Sequence, residues 1–134
     1  MHKEILNKKM EEIGIQLSDM QTEQFLTYYD MLIERNKVMN LTAITEYDDV
    51  VEKHFVDSVS LIKALDEEKV KNVIDIGTGA GFPGIPLKIV FPHLEVTLLD
   101  SLNKRIKFLN DVIGALELEN IETIHGRAED FGKS

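Results

Sequence analysis

The sequence contains no cysteine and no tryptophan, and only three prolines among its 134 residues. Without cysteine there is no disulfide framework, no thiolate nucleophile and no cysteine-ligated zinc or iron-sulfur centre, which fits a reducing compartment. Positive charge is also scarce: 15 Lys and Arg stand against 24 Asp and Glu, a formal net charge of −9. Affinity for nucleic acid comes largely from counterions released when Lys and Arg meet phosphates, so an RNA substrate would require a local basic patch. Long apolar runs are missing too. No stretch approaches the roughly 20 residues needed to span a bilayer, and the opening Met1-His2-Lys3-Glu4 lacks the apolar segment of a signal peptide. Neither membrane insertion nor secretion is indicated, and the expected location is the cytoplasm.

What is present, at 43% hydrophobic residues, suffices for one core. Ile5, Leu6, Met10 and Ile13 share a helical face over residues 2–13, with Gly14 where a helix would end. Ser18 with Gln21 makes a capping box, and Phe25, Tyr28, Tyr29, Leu32 and Ile33 recur at helical spacing to about Val38. Tyrosines on such a stripe belong to the core, and no binding role is assigned to them. Residues 48–65 suggest one broken helix or two short ones, followed by the polar link Asp66-Glu67-Glu68-Lys69. From Val73 the pattern changes to strand 73–76, helix 84–91, strand 95–99, helix 103–116 and strand 121–125, a β-α-β-α-β run with parallel strands. The expected fold is α/β: a helical N-terminal layer (1–70), then the first half of a doubly wound, Rossmann-like sheet (71–134). Its first strand, with the apolar run Val73, Ile74 and Ile76 of the kind buried in parallel sheets, would lie at an open edge, so the chain reads as the N-terminal part of a longer protein. An open edge also predicts marginal stability and self-association.

The chemistry concentrates in Asp75-Ile76-Gly77-Thr78-Gly79-Ala80-Gly81-Phe82-Pro83-Gly84. The dinucleotide pattern G-x-G-x-x-G fails at its third glycine, where Phe82 stands. Asp75-x-Gly77-x-Gly79-x-Gly81 is instead the acidic-first, alternate-glycine form of S-adenosylmethionine-dependent methyltransferases. The glycines would give steric clearance to the methionine portion, and backbone N–H groups near the next helix would be available to its carboxylate. Asp100, closing the second strand some 20 residues on, is placed for the ribose hydroxyls, or alternatively caps the helix that follows. Ile124-His125-Gly126-Arg127-Ala128-Glu129-Asp130, after the third strand, would border the adenine. His2, His54, His93 and His125 are scattered without metal-ligand spacing, and no metal site is expected. His54, Asp57 and Ser58 fit either a local cap or the neighbourhood of a site. Lys104-Arg105-x-Lys107, with Arg35 and Lys37, is the densest basic cluster, either a solvated helix face or the place to test for phosphate contacts.

Four segments together, Asn40-Leu41-Thr42-Ala43-Ile44, His54-Phe55-Val56-Asp57-Ser58, the glycine loop, and Gly126-Arg127-Ala128-Glu129, resemble the RsmG (GidB) family of bacterial 16S ribosomal RNA guanine-N7 methyltransferases. The resemblance implies a class I methyltransferase fold, S-adenosyl-L-methionine as cofactor, contacts to it from Gly77, Phe82, Ala128 and Glu129, and 16S rRNA or a small ribosomal subunit particle as partner of a monomeric enzyme. Guanine N7 carries a lone pair and no proton, so the reaction needs positioning and water exclusion rather than a general base. No catalytic residue is therefore expected in this chain. Two other readings remain open at this stage: an NAD-dependent oxidoreductase, and a non-catalytic module whose helical layer binds a protein.

Overall fold

A computed structural model describes residues 1–64 and 69–127. The order is α1 (His2–Glu12), α2 (Asp19–Asn36), α3 (Tyr47–Val50), a π-helical turn (Val51–Val56), α4 (Asp57–Ala64), β1 (Asn72–Ile76), α5 (Gly84–Val90), β2 (Glu95–Asp100), α6 (Asn103–Leu116) and β3 (Ile121–His125). Local signals set several of these boundaries. Gly14 closes α1 at φ +80°, its N–H donating to the Glu11 carbonyl. At the head of α2 the capping box is complete: the Gln21 N–H donates to Ser18 Oγ at 3.1 Å and the Ser18 N–H to Gln21 Oε1 at 2.8 Å. The Gln21 amide nitrogen also donates to the carbonyls of Ile89 and Val90 at the end of α5, supplying partners that a helix C-terminus otherwise lacks.

Residues 47–64 form one continuous rod rather than a broken helix, since α3 runs through the π turn into α4. The wider turn holds Val51 and Phe55 in the core and leaves His54 half-exposed.

The strands are parallel in the order β1-β2-β3, with Val73 opposite Val96 and Val96 opposite Ile121. Helices α5 and α6 both pack on α2, so both crossovers lie on one face of the sheet. A strand order that always advances in one direction produces this arrangement when every crossover has the same hand. On the covered face Val96 and Leu98 join a core that also contains Phe25, Tyr28 and Leu32 of α2, Phe55 of the π turn and Phe108 and Leu109 of α6. The helical layer and the sheet thus share one apolar cluster.

The other face corrects the expectation of a strand buried on both sides. Ile74 is 51% and Ile76 54% exposed, and within β1 only Asp75 is buried. Alternation sends Asp75 toward the helices and the two isoleucines to the face that neither crossover covers. β1 also forms one edge of the sheet, as expected from the sequence. Lys88 is a buried exception to the apolar core: its ammonium donates to the carbonyls of Pro92 at 2.8 Å and Leu94 at 2.6 Å, pinning the turn into β2.

Candidate functional site

The alternate glycines sit at the carboxyl ends of the strands, where open α/β sheets bind ligands. Gly77 and Gly79 have φ of +69° and +60°, and a Cβ on either would meet nothing within 4 Å. The backbone therefore turns through a region that L side chains avoid and leaves clear space above it. Gly84 differs, because a Cβ there would lie 2.3 Å from Leu98 Cδ2 and 3.1 Å from Asp75 Oδ2.

The loop is held from three directions. Beneath it, Asp75 Oδ2 accepts from Thr78 Oγ1 at 2.5 Å and from the Gly84 N–H at 3.0 Å, so this carboxylate ties the two ends of the turn together. Burial pushes the Asp75 carboxyl above its ordinary value, against the opposing effect of those two hydrogen bonds. Beside it, the Leu99 carbonyl accepts from the N–H groups of Gly77 and Thr78. From the helical layer, Tyr28 donates its hydroxyl to the Ala80 carbonyl at 2.6 Å. Burial raises the Tyr28 phenol well above its ordinary value, with the charge of Asp75 adding to the effect, which keeps it a donor.

These contacts revise one expectation. The N–H groups of Gly77, Thr78, Gly79, Gly81, Phe82 and Gly84 all donate within the protein, so they are not aimed outward at a carboxylate. Those six donors hold the turn itself, and over Gly77 and Gly79 the turn leaves clearance.

Asp100 is the second anchor. It is 2% exposed, with Oδ2 accepting from the Gly79 N–H at 2.9 Å and Oδ1 from the Leu102 N–H at 2.9 Å, and Arg105 stands 3.6 Å away. It does not cap α6, whose N-cap is Leu102 with no side-chain cap. Instead it joins the glycine loop to the end of β2, a carboxylate with one edge toward the loop. The Gly126 N–H donates to the Asp100 carbonyl at 2.9 Å, bringing the third segment alongside. Ala128 and Glu129 lie outside the described residues.

The two remaining segments converge from the helical side. Thr42 Oγ1 and His54 Nε2 share a hydrogen bond of 3.0 Å, and the Ile44 N–H also donates to that hydroxyl. The His54 ring stacks on Phe82 at 4.2 Å between centroids and 8° between planes, and Phe82 in turn meets Tyr28 and Phe55. Burial holds the His54 imidazole below its ordinary value, against the nearby charge of Asp57. Ser58 Oγ donates to the His54 carbonyl. Thr42, the histidine of the π turn and Phe82 of the glycine loop thus form one connected cluster.

Sequence reasoning missed Tyr28, which periodicity assigns to the core and which is both core and loop support. The basic cluster is only partly assembled. Arg35 pairs with Asp111 at 2.5 Å and lies over the Phe108 ring, and Lys37 pairs with Glu34, so neither reinforces Lys104 and Lys107 as a phosphate site. Among the described residues no helix is long and apolar enough to cross a membrane.

Similarity to known proteins agrees with this geometry. A solved structure from Staphylococcus aureus, assigned as a caffeoyl-CoA O-methyltransferase, superposes with a TM-score of 0.54 at 22% identity, covering 78% of this chain and 47% of that one. The likeness establishes the Rossmann-like methyltransferase fold. Proteins named ribosomal RNA small subunit methyltransferase G are far more similar in sequence: that of Staphylococcus saprophyticus is 54% identical over 96% of this chain and 54% of its own length, and that of Alkaliphilus metalliredigens 53% over 98% and 55%. The chain spans about half the length of the curated relatives it matches. With residues 21–134 matching the family described as rRNA small subunit methyltransferase G, the chain belongs to that family.

Proposed function

We propose that this chain carries the S-adenosyl-L-methionine-binding half of an enzyme that methylates N7 of a guanine in 16S ribosomal RNA. The observation that carries the reading is the clear space over Gly77 and Gly79, at the carboxyl end of β1 and bounded by Asp100. Bound there, the cofactor supplies a sulfonium methyl group, whose carbon–sulfur bond breaks as carbon bonds to N7, sulfur keeping the electron pair and the positive charge passing to guanine without proton transfer.

The residues of this chain have positioning roles. Gly77 and Gly79 keep the backbone low enough for the ligand to approach, and Gly81 continues the turn. Asp75 and Tyr28 fix its shape from below and from the helical layer. Asp100, with Oδ1 and Oδ2 each taking one backbone donor, retains acceptor capacity for ribose hydroxyls. Phe82, and Ala128 and Glu129 beyond the described residues, complete the proposed contacts. The family's name supports small-subunit rRNA as the partner, and the reading includes a cytoplasmic location and a monomeric intact enzyme.

Calorimetric titration with S-adenosylhomocysteine, using NAD as control, tests this reading. Saturable binding that weakens on Asp100→Ala is the expected outcome. Binding of NAD in preference to S-adenosylhomocysteine would replace the methyltransferase reading with an oxidoreductase.

A further inference from the structure

His54, Asp57, Ser58 and Leu61 recur at intervals of three and four, so the π turn and α4 present them along one side. With Lys53, Ser60, Phe82 and Pro83 they line an open groove of about 480 Å³ beside the end of the glycine loop. The cofactor reading uses Phe82 alone among these. It leaves unexplained why a half-buried imidazole is stacked flat on Phe82, fixed at Nε2 by Thr42, with the exposed carboxylate of Asp57 one turn further on.

We propose that this groove takes the acceptor guanine itself, its ring packed against the His54–Phe82 pair and its N1–H and N2–H hydrogens donated to the carboxylate of Asp57. The inference rests on the methyltransferase reading and adds the residues that choose the base. Guanine alone among the four RNA bases presents two adjacent donors, N1–H and N2–H, on its Watson–Crick edge, and a carboxylate accepts both. Adenine presents an acceptor at N1, cytosine an acceptor at N3, and uracil one donor between two acceptors. Orientation follows from the same contact. A purine whose Watson–Crick edge faces Asp57 turns its five-membered ring, with N7, away from that carboxylate. N7-methylation leaves a positive charge on the ring and makes N1–H a better donor, so the hydrogen bonds to Asp57 strengthen as the methyl group arrives. Tyr28 and Phe55 behind Phe82 keep the platform rigid, and burial keeps His54 an uncharged ring that does not repel the cationic product.

The test is NMR titration of the chain with guanosine 5′-monophosphate, 7-methylguanosine 5′-monophosphate and adenosine 5′-monophosphate, with S-adenosylhomocysteine in a separate arm. Both guanine nucleotides are expected to shift the His54 and Phe82 ring resonances, leaving those of the exposed His93 in place, with the methylated form binding more tightly. Guanine is expected to be preferred over adenine by roughly tenfold, the usual discrimination of a two-point hydrogen-bonded pair. Asp57→Asn should reduce that preference to about threefold or less, and Asp57→Glu should restore part of it, with an unchanged melting temperature showing that the fold is kept. No shift at His54 and Phe82 with guanine nucleotides at about 10 mM, or an unaltered preference in Asp57→Asn, overturns the assignment. In either of those cases, S-adenosylhomocysteine that still shifts Gly77 and Gly79 leaves the cofactor reading standing, and its failure to do so removes that reading as well.

Discussion

The two ends of the glycine loop use the same residue for opposite purposes. At Gly77 and Gly79 the missing side chain would point into open space, and what the backbone requires is a left-handed conformation. At Gly84 the missing side chain would collide with Leu98 and crowd Asp75, and what matters is the distance between α5 and the sheet. Glycine at the first end keeps the space above the turn clear, where the cofactor is proposed to bind, and at the second it serves the core. A motif that reads as one unit in sequence therefore divides in three dimensions into an open half and a packing half.

Substitution at the packing end should have the largest effect. Gly84→Ala drives a methyl group against the fully buried Leu98, and is expected to lower stability by about 2–3 kcal/mol. Thermal or urea denaturation measures this. Next comes Gly77→Ala, which meets no atom but carries the strain of φ +69°, on the order of 1–2 kcal/mol. Its larger consequence should be in calorimetry, where affinity for S-adenosylhomocysteine is expected to drop by roughly tenfold or more. Equal losses of stability in Gly77→Ala and Gly84→Ala would break the distinction between the two ends.

Tyr28→Phe removes the hydroxyl that donates to the Ala80 carbonyl while keeping the ring in the core, and should cost about 1 kcal/mol. Amide hydrogen exchange at residues 79–81 should accelerate more than in α2 itself, sharpening the view of the loop as braced from the helical layer. The smallest expected effect concerns pH. Burial depresses the His54 pKa, so the unfolded chain takes up the proton at about its ordinary 6.5 while the folded chain still resists it. Stability contributed by His54 is thus present above that pH and falls as pH drops through it toward the folded value. Denaturation of the native chain and of His54→Gln between pH 7 and about pH 5 should show a shallower decline in the variant.

Much of this was legible in the residues, for reasons that are local. Apolar spacing located α1, α2 and α6, Ser18 and Gln21 located the start of α2, and the alternate glycines located the loop. What escaped depends on residues far apart in the chain. Tyr28 and Ala80 are 52 positions apart, and nothing in helical periodicity distinguishes a buried tyrosine that braces a loop from one that only fills space. Asp100 fits the ribose hydroxyls or a helix cap in sequence, and only the fold, where it reaches the Gly79 N–H and leaves α6 uncapped, removes the second possibility. Ile74 and Ile76 looked buried because their neighbours in sequence are apolar, whereas exposure depends on which face the crossovers cover. The contacts of His54 with Thr42 and Phe82 join three segments that the sequence presents separately.

The hydroxyl of Tyr28 also sets the smallest portable unit of this architecture. Protein engineers often treat a strand, its glycine turn and the next helix as a cassette to be moved between scaffolds. Here the turn borrows one of its supports from a helix that ends 36 residues before β1 begins. A graft of residues 72–90 alone would carry the glycines and leave the Ala80 carbonyl without its donor, so a working transplant has to bring α2 with it.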